Sequence, residues 1–173
     1  MKKNYLIFLF TIITLSINAQ SIVTNELDKF TKVHKIETTI ERLVDKRIMG
    51  NTLYAVRVKI AKLDSTYYMQ SLISLPEMVK YDKDSGLILL LNNNETIRLY
   101  TLYTGIGAQQ IPFLGNCNFE TNFILSKDDV EKLKNNEVTD VRIVYLGGYC
   151  DYKVLKNRKD ILQKLLGLVD NTN

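Results

Sequence analysis

One histidine, two cysteines, two prolines and no tryptophan stand among the 173 residues, and each scarcity removes a class of chemistry. With His34 alone the chain cannot build a His-rich zinc site or the paired-histidine motif of a metalloprotease, and two cysteines cannot complete a four-cysteine site. A serine hydrolase would need His34 as its base, and no Gly-x-Ser-x-Gly elbow accompanies it. His34 is read instead as a surface or half-buried strand residue. Gly105-Ile106-Gly107 lacks the third glycine and the strand–helix setting of a dinucleotide fingerprint. Asp82-Lys83-Asp84-Ser85-Gly86 opens like a calcium loop, but the later ligands and the closing glutamate are missing, so it reads as a hairpin turn. No metal or cofactor is expected.

Long apolar runs are equally scarce. Leu6–Ile17 is broken by threonine and serine, is preceded by Lys2 and Lys3, and leads to Ser16-Ile17-Asn18-Ala19, which ends in a small residue suited to signal peptidase. The run is shorter than the roughly 20 residues of a membrane span. Residues 1–19 are therefore predicted to be a signal peptide cleaved after Ala19, with the mature chain periplasmic or secreted. No cysteine follows the cleavage site directly, so no lipid anchor is expected. Removing 19 residues from 173 leaves 154, enough for one domain that buries roughly 70% of its extended-chain surface. Loss of Lys2 and Lys3 lowers the formal charge from +4 to +2, and so modest a basicity argues against a nucleic-acid partner.

The compartment gives the cysteines their meaning. In an oxidising space, Cys117 and Cys150 are expected to form one disulfide. Closing a loop of about 33 residues would stabilise by on the order of 3–4 kcal/mol in the chain-entropy model. The alternative is two separate buried thiols packed as small hydrophobes. A catalytic thiol would need a histidine to hold its thiolate, and only His34 is on offer.

Tyrosine is plentiful, with ten in the chain, and together with many Val, Ile and Thr it fits a β-rich exported domain. Residues 20–27 have no strong period and read as a loose lead-in; residues 28–170 read as a single α+β domain. In Phe30–Leu43, alternation places Phe30, His34, Ile36 and Ile40 on one side of a strand, while Val33, Ile36, Ile40 and Leu43 fit a helix; Thr38-Thr39-Ile40 favours the strand. Met49-Gly50-Asn51 is a turn. In Thr52–Ile60 the buried set is Tyr54, Val56, Val58 and Ile60. Asp64-Ser65 turns the chain into Thr66–Ser74, Pro76 ends that strand, and Met78–Tyr81 adds a short one. Leu87–Leu91 and Thr96–Leu102 flank the hairpin loop Asn92-Asn93-Asn94-Glu95.

A strand at Asn118–Leu125 precedes a helix at Ser126–Lys134. There the Ser126 hydroxyl can accept from the Asp129 N–H, and Asp128 and Asp129 face the positive helix end. Asn135-Asn136 supplies residues that tolerate the left-handed conformation of a helix exit. Val138–Leu146 carries apolar residues on both faces, which predicts a central strand covered on both sides. Asp151–Leu155 is a last strand. Asn157-Arg158-Lys159-Asp160 then caps a C-terminal helix with an apolar stripe of Ile161, Leu162, Leu165, Leu166, Leu168 and Val169. Gly167 weakens that helix by about 1 kcal/mol relative to alanine, which suggests close packing against the sheet. The fold class is α+β: an antiparallel β-meander, as a sheet or incomplete barrel, with one short internal helix and a C-terminal helix packed on it.

Tyr103–Gly115 interrupts this rhythm with Gly105, Gly107, Pro112 and Gly115 among apolar residues. At about 13 residues it is long for a hairpin loop, either a functional loop or a cap on one end of the core. Tyr100, Tyr103, Ile106, Phe113 and Tyr149 form the candidate binding surface, because tyrosine combines apolar area with a hydroxyl. The predicted function is a non-enzymatic exported domain, monomeric, that binds a protein, peptide or glycan of the cell envelope. The alternative is a carboxylate-dependent hydrolase acting on glycans, with Glu37 and Glu41 or Asp140 and Asp151 as its pair.

Asp28, Phe30 and Thr31 before a meander, Leu133 in a late helix, and Val141-Arg142-Ile143 before a closing helix make the chain similar to a group of small exported Bacteroidota proteins of unknown function. The Asn18-Ala19-Gln20 ending resembles export signals of the same phylum. The resemblance covers about residues 28–169 and implies a fold and a compartment, with no catalytic residues.

Overall fold

The computed structural model describes residues 20–48, 51–75, 79–102, 105–106, 108–109 and 117–172. The predicted leader and its cleavage site, Met49-Gly50, Pro76 and Met78 lie outside the described residues, as does most of Tyr103–Gly115. The chain is α+β: the described residues form two main antiparallel sheets that do not close into a barrel, and two helices.

The larger sheet has seven strands. Its centre is the long hairpin β4 (Asn51–Leu63) and β5 (Thr66–Leu75), reversed at Asp64-Ser65, where Asp64 takes a φ of 50°. Asp64 also holds β2 (His34–Thr38): its backbone N–H donates to the His34 carbonyl at 2.9 Å, and its carboxylate accepts from the His34 N–H at 2.9 Å. Val56, Val58 and Ile60 are fully buried, as their alternation predicts. β2 and β3 (Glu41–Ile48) lie end to end along β4. Between them the ladder breaks, and Thr38 repairs it: its hydroxyl accepts from the Ile60 N–H at 3.0 Å and sits 3.3 Å from the Ile60 carbonyl. The single strand expected over Phe30–Leu43 is therefore two strands. Phe30 belongs to neither. It is 94% exposed in a turn closed by the Asp28 carboxylate, which accepts from the Phe30 and Thr31 N–H groups at 2.7 Å each.

Residues 22–27, read as a lead-in, form the edge strand β1 (Ile22–Leu27) on β2. Its register shifts between Ile22 and Thr24 and its side chains are mostly exposed, so no hydrophobic period marks it. On the far side, β11 (Cys117–Leu125) pairs with β5 along its whole length.

The smaller sheet has the order β13-β12-β7-β8, from β13 (Gly148–Lys153), β12 (Val138–Tyr145), β7 (Gly86–Leu91) and β8 (Thr96–Tyr100). The β7–β8 loop turns at Asn94, whose φ of 67° suits an asparagine. β12 is central by pairing, as expected, yet only its Val141 and Ile143 face is buried; Val144 is half-buried and Leu146, just beyond the strand, is exposed. The short strands β6 (Lys80–Tyr81) and β9 (Gly105–Ile106) pair with each other, and β10 (Ala108–Gln109) pairs with β11.

Helix α1 (Lys127–Asn135) starts with the predicted cap made reciprocal: the Ser126 hydroxyl accepts from the Asp129 N–H at 3.1 Å, and the Asp129 carboxylate accepts from the Ser126 N–H at 3.0 Å. It ends differently from expectation. Asn136 is extended rather than left-handed, and the Asn135 and Asn136 side-chain amides donate to the Glu131 and Lys132 carbonyls. Helix α2 (Ile161–Asp170) buries Ile161, Leu162, Leu165, Leu166 and Val169. Its Asp160 makes no side-chain cap bond and pairs instead with Lys164 at 2.8 Å. A methyl group on Gly167 would meet open space, so close packing is not the reason for that glycine. Both helices and the inner faces of both sheets contribute to one apolar core.

Candidate functional site

With its inner face committed to that core, the smaller sheet presents a regular outer face. Direct cross-strand partners share a face, so the registers define three rows. The first is Tyr149–Val144–Gly86–Tyr100, the second Asp151–Arg142–Ile88–Arg98 and the third Lys153–Asp140–Leu90–Thr96. Two predicted surface residues thus bracket one row: Tyr149 is 58% exposed on β13 and Tyr100 51% exposed on β8. At about 4.8 Å per strand, their backbones stand roughly 14 Å apart.

Each tyrosine is backed by an arginine. The Arg142 guanidinium lies 4.0 Å from the Tyr149 ring centre, and that of Arg98 lies 5.0 Å from the Tyr100 ring centre, both close enough for cation–π attraction. Arg142 is fixed by a two-pronged bond to Asp151, at 2.6 Å and 2.7 Å. That bond holds the Asp151 carboxyl below its ordinary acidity range, against a smaller opposing push from burial.

Between the tyrosines the floor is low. Gly86 has a φ of 157°, and a β-carbon there would stand 1.9 Å from the Leu99 carbonyl oxygen, so no side chain fits. Beside it a concavity of about 340 Å³ is lined by Ile88, Leu90, Thr96, Asp140, Arg142 and Asp151 among others. Apolar floor, polar rim and flanking aromatic rings together suit a ligand with both apolar and hydrogen-bonding surface.

Of the other predicted surface residues, Tyr103 and Phe113 lie outside the described residues, and so does the Ile106 side chain. Cys150 carries a free thiol with the Tyr145 hydroxyl 3.6 Å from its Sγ. The Cys117 side chain lies outside the described residues, and with the Cys150 thiol free the expected bond between the two has no support in the structure. Burial, aided by a hydrogen bond with the Cys150 sulfur, pushes the neighbouring Tyr152 hydroxyl up.

The carboxylate pairs separate clearly. Glu37 and Glu41 face opposite sides of the large sheet, Glu37 paired with Lys35 and Lys59 and Glu41 with Arg158 at 2.9 Å. Asp140 and Asp151 do converge: they are diagonal neighbours on β12 and β13 and line the same concavity. Such neighbours stand about 7–8 Å apart.

Sequence reasoning missed Ile88, Leu90 and Arg98. One signal was available: Leu87–Leu91 is an unbroken apolar run, whereas a half-exposed strand usually alternates. Among the described residues, no helix is long and apolar enough to cross a membrane, and no group of three or more metal-ligating side chains gathers. No family model matches the chain, and neither a curated protein nor a solved structure matches it.

Proposed function

We propose that the chain is an exported, non-enzymatic binding module of the cell envelope and that its ligand lies across the outer face of the smaller sheet. The Tyr149–Val144–Gly86–Tyr100 row carries this reading: two exposed, arginine-backed rings flank a floor that cannot bear a side chain. A glycan is the favoured ligand. Its C–H faces stack on tyrosine rings, and its hydroxyls meet Thr96, Asp140 and Lys153 along the third row. The basic, apolar and small-residue order of residues 1–19 supports export.

A glycan-array screen with the mature protein tests the reading, and selective retention of one or more extended glycans is the expected result. Intact mass after expression tests the compartment: a chain beginning at Gln20 is expected, and an uncleaved chain would sink that part.

The convergence of Asp140 and Asp151 favours a second reading, hydrolysis of a glycan by that pair. Against it, both Asp151 oxygens are engaged by Arg142. Among the described carboxyls, those whose pKa is displaced (Asp28, Glu37, Asp82, Asp151 and Asp170) have it lowered, whereas a general acid needs it raised. Shortened products from any retained glycan, lost in Asp140→Asn, would establish the enzyme reading instead.

A further inference from the structure

The outer face of the seven-stranded sheet carries a second depression, and its cause is a small residue. Ala61 sits in the middle of the row Ile124–Tyr68–Ala61–Glu37–Thr24, where its neighbours are larger. The missing side-chain volume leaves a concavity of about 270 Å³ over Ala61, walled by Lys35, Glu37, Tyr68, Gln70 and Asn122, with Leu102 at its rim.

Its polar groups are arranged unevenly. The Glu37 side chain, only 10% exposed, meets Lys35 Nζ at 3.2 Å and Lys59 Nζ at 3.4 Å, and the Thr24 hydroxyl at 3.4 Å. Two ammonium groups against one carboxylate leave an excess positive charge, with lysine donors to spare. Across the depression, Asn122 Oδ1 is buried and has no hydrogen-bond partner among the described residues. A buried, unpaired amide oxygen is costly, and a folded protein that keeps one has a reason to.

We infer that this depression is a second binding site, for a small carboxylate that also carries a hydrogen-bond donor. The carboxylate lies against Lys35, which lines the depression. The donor, a hydroxyl or an ammonium, meets Asn122 Oδ1, and the apolar part rests on Ala61 and Tyr68. A sugar acid and a free amino acid share this chemistry and fit the volume. The inference is independent of the glycan face, which lies on the other sheet.

The test is two-dimensional ¹⁵N NMR of the labelled mature protein, following the Asn122 and Gln70 side-chain amides during titration with sodium glucuronate and with L-alanine. Acetate, which lacks the donor, and glucose, which lacks the charge, are the controls. The expected result is saturable shifts at both amides with one or both acids, at least 10-fold tighter than with either control. Glucuronate alone would identify a sugar-acid site, alanine alone an amino-acid site. Asn122→Leu is expected to lose at least 10-fold in affinity while its urea midpoint stays equal or rises, since an unpaired buried oxygen has gone. A residue of purely structural value would lower the midpoint. Ala61→Leu, which fills the floor, is expected to abolish the shifts, and Lys35→Met to weaken binding if the filled variant does not fold. No shift with either acid, shifts equal to those with acetate, or undiminished binding by folded Asn122→Leu would overturn the inference.

Discussion

The Tyr67 hydroxyl donates to the Asp170 carboxylate, joining the start of β5 to the last residue of α2 across 103 positions of sequence. Lys134, from the last turn of α1, pairs with the same carboxylate. Lys134 and Lys62 also place their ammonium groups 5.9 Å and 5.3 Å from the Tyr67 ring centre. One carboxylate therefore ties both helices to the sheet. Burial alone would raise the Asp170 carboxyl, but the bonds from Lys134 and Tyr67 and the charge of Lys62 outweigh it and hold the group below its ordinary value of 3.8.

Acid should loosen this junction first. Because the folded-state value is depressed, the contribution is present above about pH 3.8 and is lost as pH falls through the lower folded value. Urea midpoints measured from pH 6 to pH 2 should fall at the acid end, and Asp170→Asn should flatten that fall while lowering stability at pH 6.

The alkaline side has the opposite sign. Burial and the bond to Asp170 raise the Tyr67 hydroxyl from 10 to about 12, so its contribution is complete below pH 10 and disappears as pH rises through about 12. Tyr67→Phe should cost on the order of 1 kcal/mol at neutral pH, a typical net worth for one hydrogen bond. It should also reduce the loss of stability between pH 10 and 12, as followed by circular dichroism.

Gly86→Ala should destabilise by on the order of 3 kcal/mol, the upper range for overpacking. Its added carbon would collide with the Leu99 carbonyl oxygen, which belongs to the backbone of the neighbouring strand and cannot move aside cheaply. Thermal unfolding measures this directly. An unchanged midpoint would mean that the glycine floor is not fixed by β8.

Gly167→Ala should do the reverse. The position is helical and opens into free space, so the substitution should gain about 0.5–1 kcal/mol from helix propensity and reduced unfolded-state entropy. Chemical denaturation is the check.

Much of the fold was legible because it is written in local chemistry. Asp64-Ser65 and Asn92–Glu95 are turns because Asp64 and Asn94 accept positive φ, and α1 begins where Ser126 and Asp129 can cap each other. Edge strand β1 was not legible, since a strand held by one neighbour and facing solvent needs no hydrophobic period. Nor was the break at Thr38, where a hydroxyl stands in for the backbone ladder. The candidate face was half legible. Tyr100 and Tyr149 were identifiable by type, but what joins them is register through Val144 and Gly86, and strand order cannot be read from periodicity. The expectation that β12 is covered on both faces failed for a related reason: Val144 and Leu146 are apolar yet lie toward solvent, and residue type alone does not decide burial.

The most direct test is glycan-array binding by the Tyr100→Ala/Tyr149→Ala double variant beside the wild type. Both side chains are largely exposed, so the variant should fold with an unchanged thermal midpoint. The wild type is expected to retain at least one extended glycan, and the folded double variant to lose at least 10-fold in apparent affinity, which corresponds to about 1.4 kcal/mol. Equal retention by the two proteins, or no retention by the wild type, would contradict that expectation.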